Sequence, residues 1–149
     1  MLRPTKILVP TDFSEYSDKA LRQAIDIARK YKAKIYVLHV VQEKITRSID
    51  DYGLTPLESI EIMEWNMINA ARLKVEKQLD KFPHTKELEI VGDVVLGNPS
   101  EAILEEETSK GIDLIVIASL GRTGLAKYLI GSVARNVLKG AKCPVLLTR

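Results

Sequence analysis

Short apolar segments that alternate with longer amphipathic segments constrain the fold of this chain more than any other sequence feature. Each apolar segment spans five to nine residues and is rich in β-branched side chains, which is typical of strands buried on both faces of a parallel sheet. The predicted strands cover residues 6–10, 34–41, 87–95, 113–118 and 144–148.

The intervals between these strands predict helices. Apolar residues recur three and four positions apart after Ser17 and again after Pro56, so that each segment places one apolar stripe against a sheet. Either Ser14 or Ser17 is expected to cap the first helix. The predicted helices cover residues 17–31, 56–82, 97–109 with its opening turn, and 132–139, with longer connections over 42–55 and 119–131.

Strands that alternate with helices predict an α/β fold: a doubly wound, mainly parallel five-stranded sheet in the order 3-2-1-4-5, with helices on both faces. The 149 residues, 46% of them hydrophobic, suffice for one domain over residues 1–149. The first and fourth strands are then neighbours where the winding reverses, and ligands bind beyond the carboxyl ends of such strands. Thr11, Asp12 and the segment 119–124 are therefore expected to meet at one crevice.

Composition excludes several classes of protein. A single cysteine cannot form an internal disulfide, and one cysteine with two histidines is too few for a usual structural zinc site. The chain has no run of about 18 apolar residues and no apolar signal stretch after Met1, so we expect a cytoplasmic protein with no membrane partner. A net charge of only +2 argues against nucleic acid as the main partner.

The distribution of charge is uneven. After Asp113 the chain contains no acidic residue. Six basic residues follow it: Arg122, Lys127, Arg135, Lys139, Lys142 and Arg149. This segment either favours an anionic ligand or simply presents solvated, basic helix faces.

A glycine-bearing segment precedes the last predicted helix, with glycines at positions 121, 124 and 131. Glycine leaves backbone amides accessible, and Ser132 begins a helix whose unpaired amides and positive dipole end attract phosphate. An ordinary loop with a Gly-Ser helix cap is the alternative. Neither the G-x-x-x-x-G-K-[ST] phosphate loop nor the G-x-G-x-x-G dinucleotide motif is present.

A helix dipole alone does not hold a nucleotide. It contributes about 0.3 to 1 kcal/mol, whereas micromolar binding requires roughly 8 kcal/mol. Further contacts are expected from apolar side chains around Val9, Val40 and Ile117, which offer a surface for a flat base, and from the carboxylate of Asp12, which can accept hydrogen bonds from ribose hydroxyls. Asp12 is equally suited to bonding nearby backbone amides at the start of the first helix.

Three blocks in order resemble the universal stress protein (UspA) family. They are Ile7-Leu-Val-Pro-Thr-Asp-Phe-Ser14, Val37-Leu-His-Val40, and the segment 121–144 with Gly131-Ser-Val-Ala134 and Cys143-Pro144. The resemblance implies a doubly wound fold and a homodimer formed through the last strand, Val145 to Thr148. ATP-binding members carry G-x2-G-x9-G-[ST], and Gly121, Gly131 and Ser132 match its later part.

The first glycine of that motif falls on Ala118 in this chain. A positive φ at this position would cost alanine about 1 to 2 kcal/mol, whereas a negative φ would make the alanine harmless. Carried over position by position, Asp12 is the ribose contact, and Val40 and Ile117 are the adenine rim. The phosphate contacts are Gly121, Gly131, Ser132 and Val133, with Ala134 standing where some relatives place a hydroxyl.

The full predicted nucleotide-binding set adds four neighbours of these positions: Pro10, Thr11, Ala118 and Arg122. Asp12 and Ser132 are the candidates for holding magnesium with the ATP. The chain is therefore predicted to be an ATP-binding stress-response protein that acts as a nucleotide-dependent regulatory module, with a protein partner that the sequence does not identify.

Two alternatives stay open. A slow ATPase or phosphotransferase is one, although no convincing catalytic base accompanies Asp12, since His39 fits a structural role at the end of a buried strand. A nucleotide-free interaction protein is the other, supported by Ala118. Ile62 and Trp65 lie off the apolar stripe of their helix, either under the connection 42–55 or on a partner-facing surface. Cys143 fits a small buried hydrophobe better than a reactive thiol.

Overall fold

A computed structural model describes residues 1–42, 57–120 and 130–149 of the chain. In these residues the strands are β1 (Lys6–Pro10), β2 (Lys34–Gln42), β3 (Ile90–Gly97), β4 (Leu114–Ala118) and β5 (Val145–Thr148). The helices are α1 (Glu15–Tyr31), α2 (Leu57–Asp80), α3 (Pro99–Lys110) and α4 (Ser132–Gly140), and a 3-10 turn spans Pro83–Glu87.

The five strands form one sheet in the order β3-β2-β1-β4-β5, and every neighbouring pair is parallel. The predicted fold class and strand order are therefore confirmed. Because β1 lies between β2 and β4, its carboxyl end is the point where the chain winds in opposite directions on its two sides.

The core has two halves, one on each face of the sheet. Ile7 and Val9 of β1 point to the face covered by α1 and α2, whereas Leu8 points to the face covered by α3 and α4. All three side chains are fully buried. Side chains of a strand alternate between faces, so a strand covered on both sides must be apolar throughout, which is why the sequence of β1 has no polar residue between Ile7 and Pro10.

Local sequence signals set the helix ends. The side chain of Ser14 accepts a hydrogen bond from the Ser17 amide, so Ser14 is the N-cap and α1 begins at Glu15. Asn98 caps α3 in the same way, with Pro99 in the first turn, and Gly111 ends the helix in the left-handed conformation with φ 66°.

The predicted start of the third strand was wrong by three residues. Residues 83–87 form a 3-10 turn that begins at a proline, so the strand cannot start at Glu87 and instead runs from Ile90 to Gly97. The connection 43–56 lies outside the described residues. Ile62 and Trp65 of α2 are both exposed.

Cys143 precedes β5 beside a buried carboxylate. The Oε1 atom of Glu107 accepts hydrogen bonds from the amides of Lys142 and Cys143, at 2.7 and 2.8 Å. Burial, together with the neighbouring Glu107, raises the pKa of the Cys143 thiol to about 12. The thiol therefore stays protonated at neutral pH, as expected of a structural cysteine.

No helix in the described part of the chain is long and apolar enough to span a bilayer.

The start of β1 is fastened to the start of β4 by one carboxylate. Asp113 accepts hydrogen bonds from the amides of Thr5 and Lys6, each at 3.0 Å, and from the Thr5 hydroxyl at 2.6 Å. Partial burial alone would raise the pKa of Asp113, but these hydrogen bonds outweigh it and hold the pKa below its ordinary value.

We expect Asp113→Ala to lower the free energy of unfolding at neutral pH. The size of this loss should decrease as the pH falls into the acid range. A carboxyl group with a depressed folded-state pKa stabilises the fold above its unfolded pKa, and this contribution disappears as the pH falls through the folded value. Urea denaturation of both proteins between about pH 7 and about pH 2.5 measures the difference. This account is contradicted if the difference in free energy of unfolding between the two proteins keeps its neutral-pH value at pH values below 3.8, the ordinary pKa of the group.

Candidate functional site

The candidate site lies at the carboxyl end of β1. Pairing of β1 with β2 continues to Pro10, which is opposite Leu38. Pairing of β1 with β4 covers only Ile7 with Leu114 and Leu8 with Ile115. Beyond these pairs β1 and β4 no longer form a ladder, and this is the place where an α/β sheet of this order opens a crevice.

Thr11 is held on several sides. Its amide donates to the carbonyl of Leu38 at 2.9 Å, and its carbonyl lies 2.8 Å from Nδ1 of His39. Its hydroxyl accepts a hydrogen bond from the Phe13 amide at 3.1 Å and donates to Oε1 of Gln78 at 2.8 Å. The residue is buried, so the first polar group after β1 has a fixed position.

The contact with Thr11 defines the role of His39. A carbonyl oxygen only accepts hydrogen bonds, so the Nδ1 atom of His39 carries the proton and donates it. The imidazole ring also packs against the ring of Phe13, with 4.3 Å between centroids. These contacts fit the structural role expected of His39.

Asp12 and Phe13 form a strained turn between β1 and α1. The Oδ1 atom of Asp12 accepts a hydrogen bond from the Ser14 amide at 3.0 Å, so Asp12 bonds a nearby backbone amide, whereas the N-cap of α1 is Ser14. Phe13 has a φ of 66°, a left-handed conformation that is costly for a residue with a side chain. The ring of Phe13 lies between His39 and the Nζ atom of Lys74, which is 5.8 Å from the ring centroid. Strain of this kind is concentrated at ligand sites.

The amino terminus of α4 lies at the carboxyl end of β4. The Ser119 amide donates to the carbonyl of Thr148 at 2.8 Å, and the Gly131 amide donates to the carbonyl of Ser119 at 2.7 Å. Gly131 is the N-cap of α4 and provides no side-chain hydrogen bond to the first turn. Ser132 is exposed and Val133 half-buried, whereas the Ala134 side chain is 3% exposed and belongs to the core.

Two of the small residues in the predicted motif have ordinary backbone angles. Ala118 is not among the described residues with a positive φ, so alanine at the first glycine position of the motif carries no strain. Gly131 has φ −57° and ψ 153°, which any residue adopts. What glycine contributes at position 131 is therefore the absence of a side chain beside the first turn of α4.

The predicted base-binding residues differ in accessibility. Val40 is half-buried and packs on the face of α3 and α4, together with Ile117, which is buried. Val9 points to the opposite face and is fully buried, so the expectation that it borders the base was wrong. Pro10 is also buried.

Gly121 and Arg122, together with Gly124 and Lys127, lie outside the described residues. In the part of the chain that is described, no group of three or more histidine, cysteine, aspartate or glutamate side chains is placed to hold a metal ion. The predicted magnesium contacts of Asp12 and Ser132 stay a prediction.

Sequence reasoning missed one residue of the site. Gln78 lies on the buried stripe of α2, whose other buried members Ile60, Ala71 and Val75 are apolar. A lone amide within an apolar stripe is the signal that could have identified it, because a buried polar group needs a polar partner.

The sequence pattern of the universal stress protein family matches residues 4–149. Universal stress protein MJ0531 of Methanocaldococcus jannaschii is 34% identical over 149 residues, which cover 97% of this chain and 81% of the relative. The solved structure of MJ0577 from the same organism has a TM-score of 0.83 at 28% identity and covers 99% of this chain and 96% of that one.

Two further structures contain nucleotides. A universal stress protein in complex with cAMP has a TM-score of 0.62 at 24% identity, with 99% of this chain and 98% of that one covered. A universal stress protein from Archaeoglobus fulgidus in complex with dAMP has a TM-score of 0.59 at 22% identity, and the match covers 99% of this chain and 100% of that one. At these identities they show a shared fold.

We expect glycine to be better tolerated than alanine at position 13. Both Phe13→Gly and Phe13→Ala remove the ring contact with His39, but only glycine adopts a φ of 66° without cost, so Phe13→Gly should be more stable by about 1 kcal/mol. This reverses the usual order of the two residues and is measured by urea denaturation. Equal stability, or a more stable alanine variant, would show that the turn is not strained.

Proposed function

Since the chain belongs to the universal stress protein family, we propose that it binds ATP together with magnesium and acts as a nucleotide-dependent regulatory module. The observation that carries this proposal is the position of the α4 amino terminus at the carboxyl end of β4, next to the gap between β4 and β1. Relatives of the same fold in complex with cAMP and dAMP agree with an adenine nucleotide as the ligand class.

The phosphate groups are assigned to the first turn of α4. The first amides of a helix have no acceptor within the helix, and at α4 the N-cap is a glycine that offers none. Ser132 and Val133 follow this glycine, and the first turn contains no acidic residue that would repel phosphate. Gly121 and Arg122, from the segment between β4 and α4, complete the proposed phosphate contacts.

The nucleoside is assigned to the β1 side of the crevice. Asp12 lies in the turn directly after β1, with a carboxylate suited to accept hydrogen bonds from ribose hydroxyls. Val40 offers apolar surface to the base on the face of α3 and α4. Asp12 and Ser132 would hold the magnesium ion, which would offset phosphate charge and is usually bound by few protein ligands.

A charge reversal at Ser132 tests the proposal. Ser132→Asp adds an acidic residue to the first turn of α4, which stabilises the helix by about 0.3 to 1 kcal/mol but repels phosphate. We expect calorimetry to show an affinity for ATP with magnesium at least about 10-fold weaker, equivalent to about 1.4 kcal/mol. Affinity for adenosine, which has no phosphate, should stay within about 2-fold, and the melting temperature should be unchanged or higher.

Asn136→Asp is the matched control for this experiment. Asn136 is exposed one turn further along α4, so the substitution adds the same charge away from the unpaired amides. Its ATP affinity should change by less than about 3-fold. Equal losses of ATP affinity in the two variants would show that the added charge acts through general electrostatics and not at the first turn of α4. If the unaltered protein does not bind ATP, the proposal is refuted.

We further propose that the chain forms a homodimer through β5. This strand is the last in the sheet order. The carbonyls of Pro144 and Thr148 accept hydrogen bonds from the amides of Ile115 in β4 and of Ser119 directly after it. Because backbone groups alternate along a strand, those of Val145 and Leu147 face away from β4. Pairing with a second copy would satisfy this row of donors and acceptors.

Light scattering of the native protein should give twice the chain mass of 16.7 kDa. Leu146→Glu should give a monomer, since it places like charges on the two paired strands. Leu138→Glu is the matched control: Leu138 of α4 is 40% exposed, compared with 36% for Leu146, and it lies off the edge strand. A monomeric unaltered protein, or dissociation of both variants alike, would rule out β5 as the interface.

A further inference from the structure

Besides the contact of Lys74 with the Phe13 ring, α2 reaches the candidate site through a buried polar side chain. Gln78 is 2% exposed and reaches the turn after β1, where its Oε1 atom lies 2.8 Å from the hydroxyl of Thr11. Its Nε2 atom lies 2.8 Å from Oδ1 of Asp18 and 3.5 Å from the hydroxyl of Ser17. One side chain of α2 therefore joins the end of β1 to the first turn of α1.

The partners fix the direction of each hydrogen bond. The carboxylate of Asp18 only accepts, so the amide nitrogen of Gln78 faces Asp18 and the amide oxygen faces Thr11. The Oε1 atom of Gln78 only accepts, so the Thr11 hydroxyl is the donor to it. The same Thr11 hydroxyl lies 3.0 Å from the hydroxyl of Ser17, which itself donates to the carbonyl of Ser14 at 2.8 Å. Lys81 holds Asp18 from the other side at 3.1 Å.

The same Thr11 oxygen that donates to Gln78 also accepts the hydrogen bond from the Phe13 amide. Thr11 and Phe13 are the residues on either side of Asp12. The chain of contacts thus runs from α2 through Gln78 and Thr11 to Phe13, whose φ is 66°, and it includes both sequence neighbours of Asp12.

We infer that Gln78 is a positioning residue for nucleotide binding, which holds the Thr11–Phe13 turn in the conformation that presents Asp12 to the ribose. This inference rests on the proposed function. It makes α2 a part of the nucleotide site, although none of its described residues was predicted to contact the ligand. Affinity for the nucleoside therefore depends on an amide that lies under the turn and outside the crevice.

Gln78→Met tests the inference, because methionine keeps the length of the side chain and removes both polar atoms. Calorimetry without magnesium should show affinities for ATP and for adenosine that fall by the same factor, about 10-fold. Affinity for inorganic tripolyphosphate under the same conditions should be unchanged, because without magnesium its proposed contacts lie only on the α4 side. Thr11→Val removes the other end of the same hydrogen bond and should give the same pattern, and it serves as the second variant if Gln78→Met does not fold.

Val75→Ala is the matched control. Val75 lies about one turn before Gln78 on the same buried stripe and makes apolar contacts, so its truncation loosens α2 without removing the link to Thr11. It should lower the melting temperature by about 3 to 8 °C and leave adenosine affinity within about 2-fold of the unaltered protein. Equal losses of adenosine affinity in the Val75 and Gln78 variants would reduce Gln78 to a general packing role and overturn the inference.

The dependence on Asp12 is tested by a double variant. If Gln78 acts through Asp12, Gln78→Met should cause no further loss of adenosine affinity in a protein that already carries Asp12→Ala. Losses that multiply would show that Gln78 acts by another route and would overturn the inference. A protein that binds ATP while Gln78→Met has no effect contradicts the inference alone, whereas an unaltered protein that binds neither ATP nor adenosine contradicts the proposed function itself.

Discussion

The burial of β1 between two parallel strands is the constraint on which the rest of this structure depends. Ile7, Leu8 and Val9 are fully buried, and each such side chain contributes about 1.5 to 3 kcal/mol when it is removed from water. A central strand of this kind requires helices on both faces of the sheet. It also requires crossover connections that lead away from β1 toward both edges of the sheet. The carboxyl end of β1 is then flanked by the end of β2 and the end of β4, so the polar residues after it must be satisfied within a narrow region.

Thr11, Asp12 and Phe13 show how the chain meets this requirement. The backbone of Thr11 bonds to β2, its hydroxyl contacts Gln78 of α2 and Ser17 of α1, and Asp12 bonds to Ser14, the N-cap of α1. The chain turns from strand to helix in four residues because Phe13 adopts a left-handed φ, the cost of which is offset by the contacts of its ring with His39 and Lys74. Contacts from β2, α2 and α1 thus specify the turn together with its own Asp12–Ser14 hydrogen bond.

The contrast between strands specified by burial and a turn specified by distant contacts explains what the sequence predicts and what it does not. Strands such as β1 and β4 are readable because burial on both faces demands a continuous apolar run, and the strand order follows from the alternation of elements. The start of β3 was misplaced because the apolar content of residues 87–90 does not reveal that Pro83 initiates a 3-10 turn. The role of Val9 was misjudged because a fully apolar strand does not show which face each side chain occupies. Gln78 was missed because its partners lie 60 and 67 residues away in the sequence.

The presence of glutamine within an apolar stripe is the strongest physical argument that α2 does more than cover the sheet. Replacing a buried polar group and its partners by apolar groups of the same size is often neutral or stabilising, so stability does not require an amide at position 78. An apolar side chain there would cover the sheet equally well, but it would leave the Thr11 hydroxyl with Ser17 as its acceptor and would remove the hydrogen bond between α2 and the turn. A helix amino terminus contributes only about 0.3 to 1 kcal/mol to phosphate binding, so a nucleotide site at this crevice needs a ribose contact whose position is already set before the ligand arrives. A fully bonded amide beneath the turn meets that need at little cost in stability.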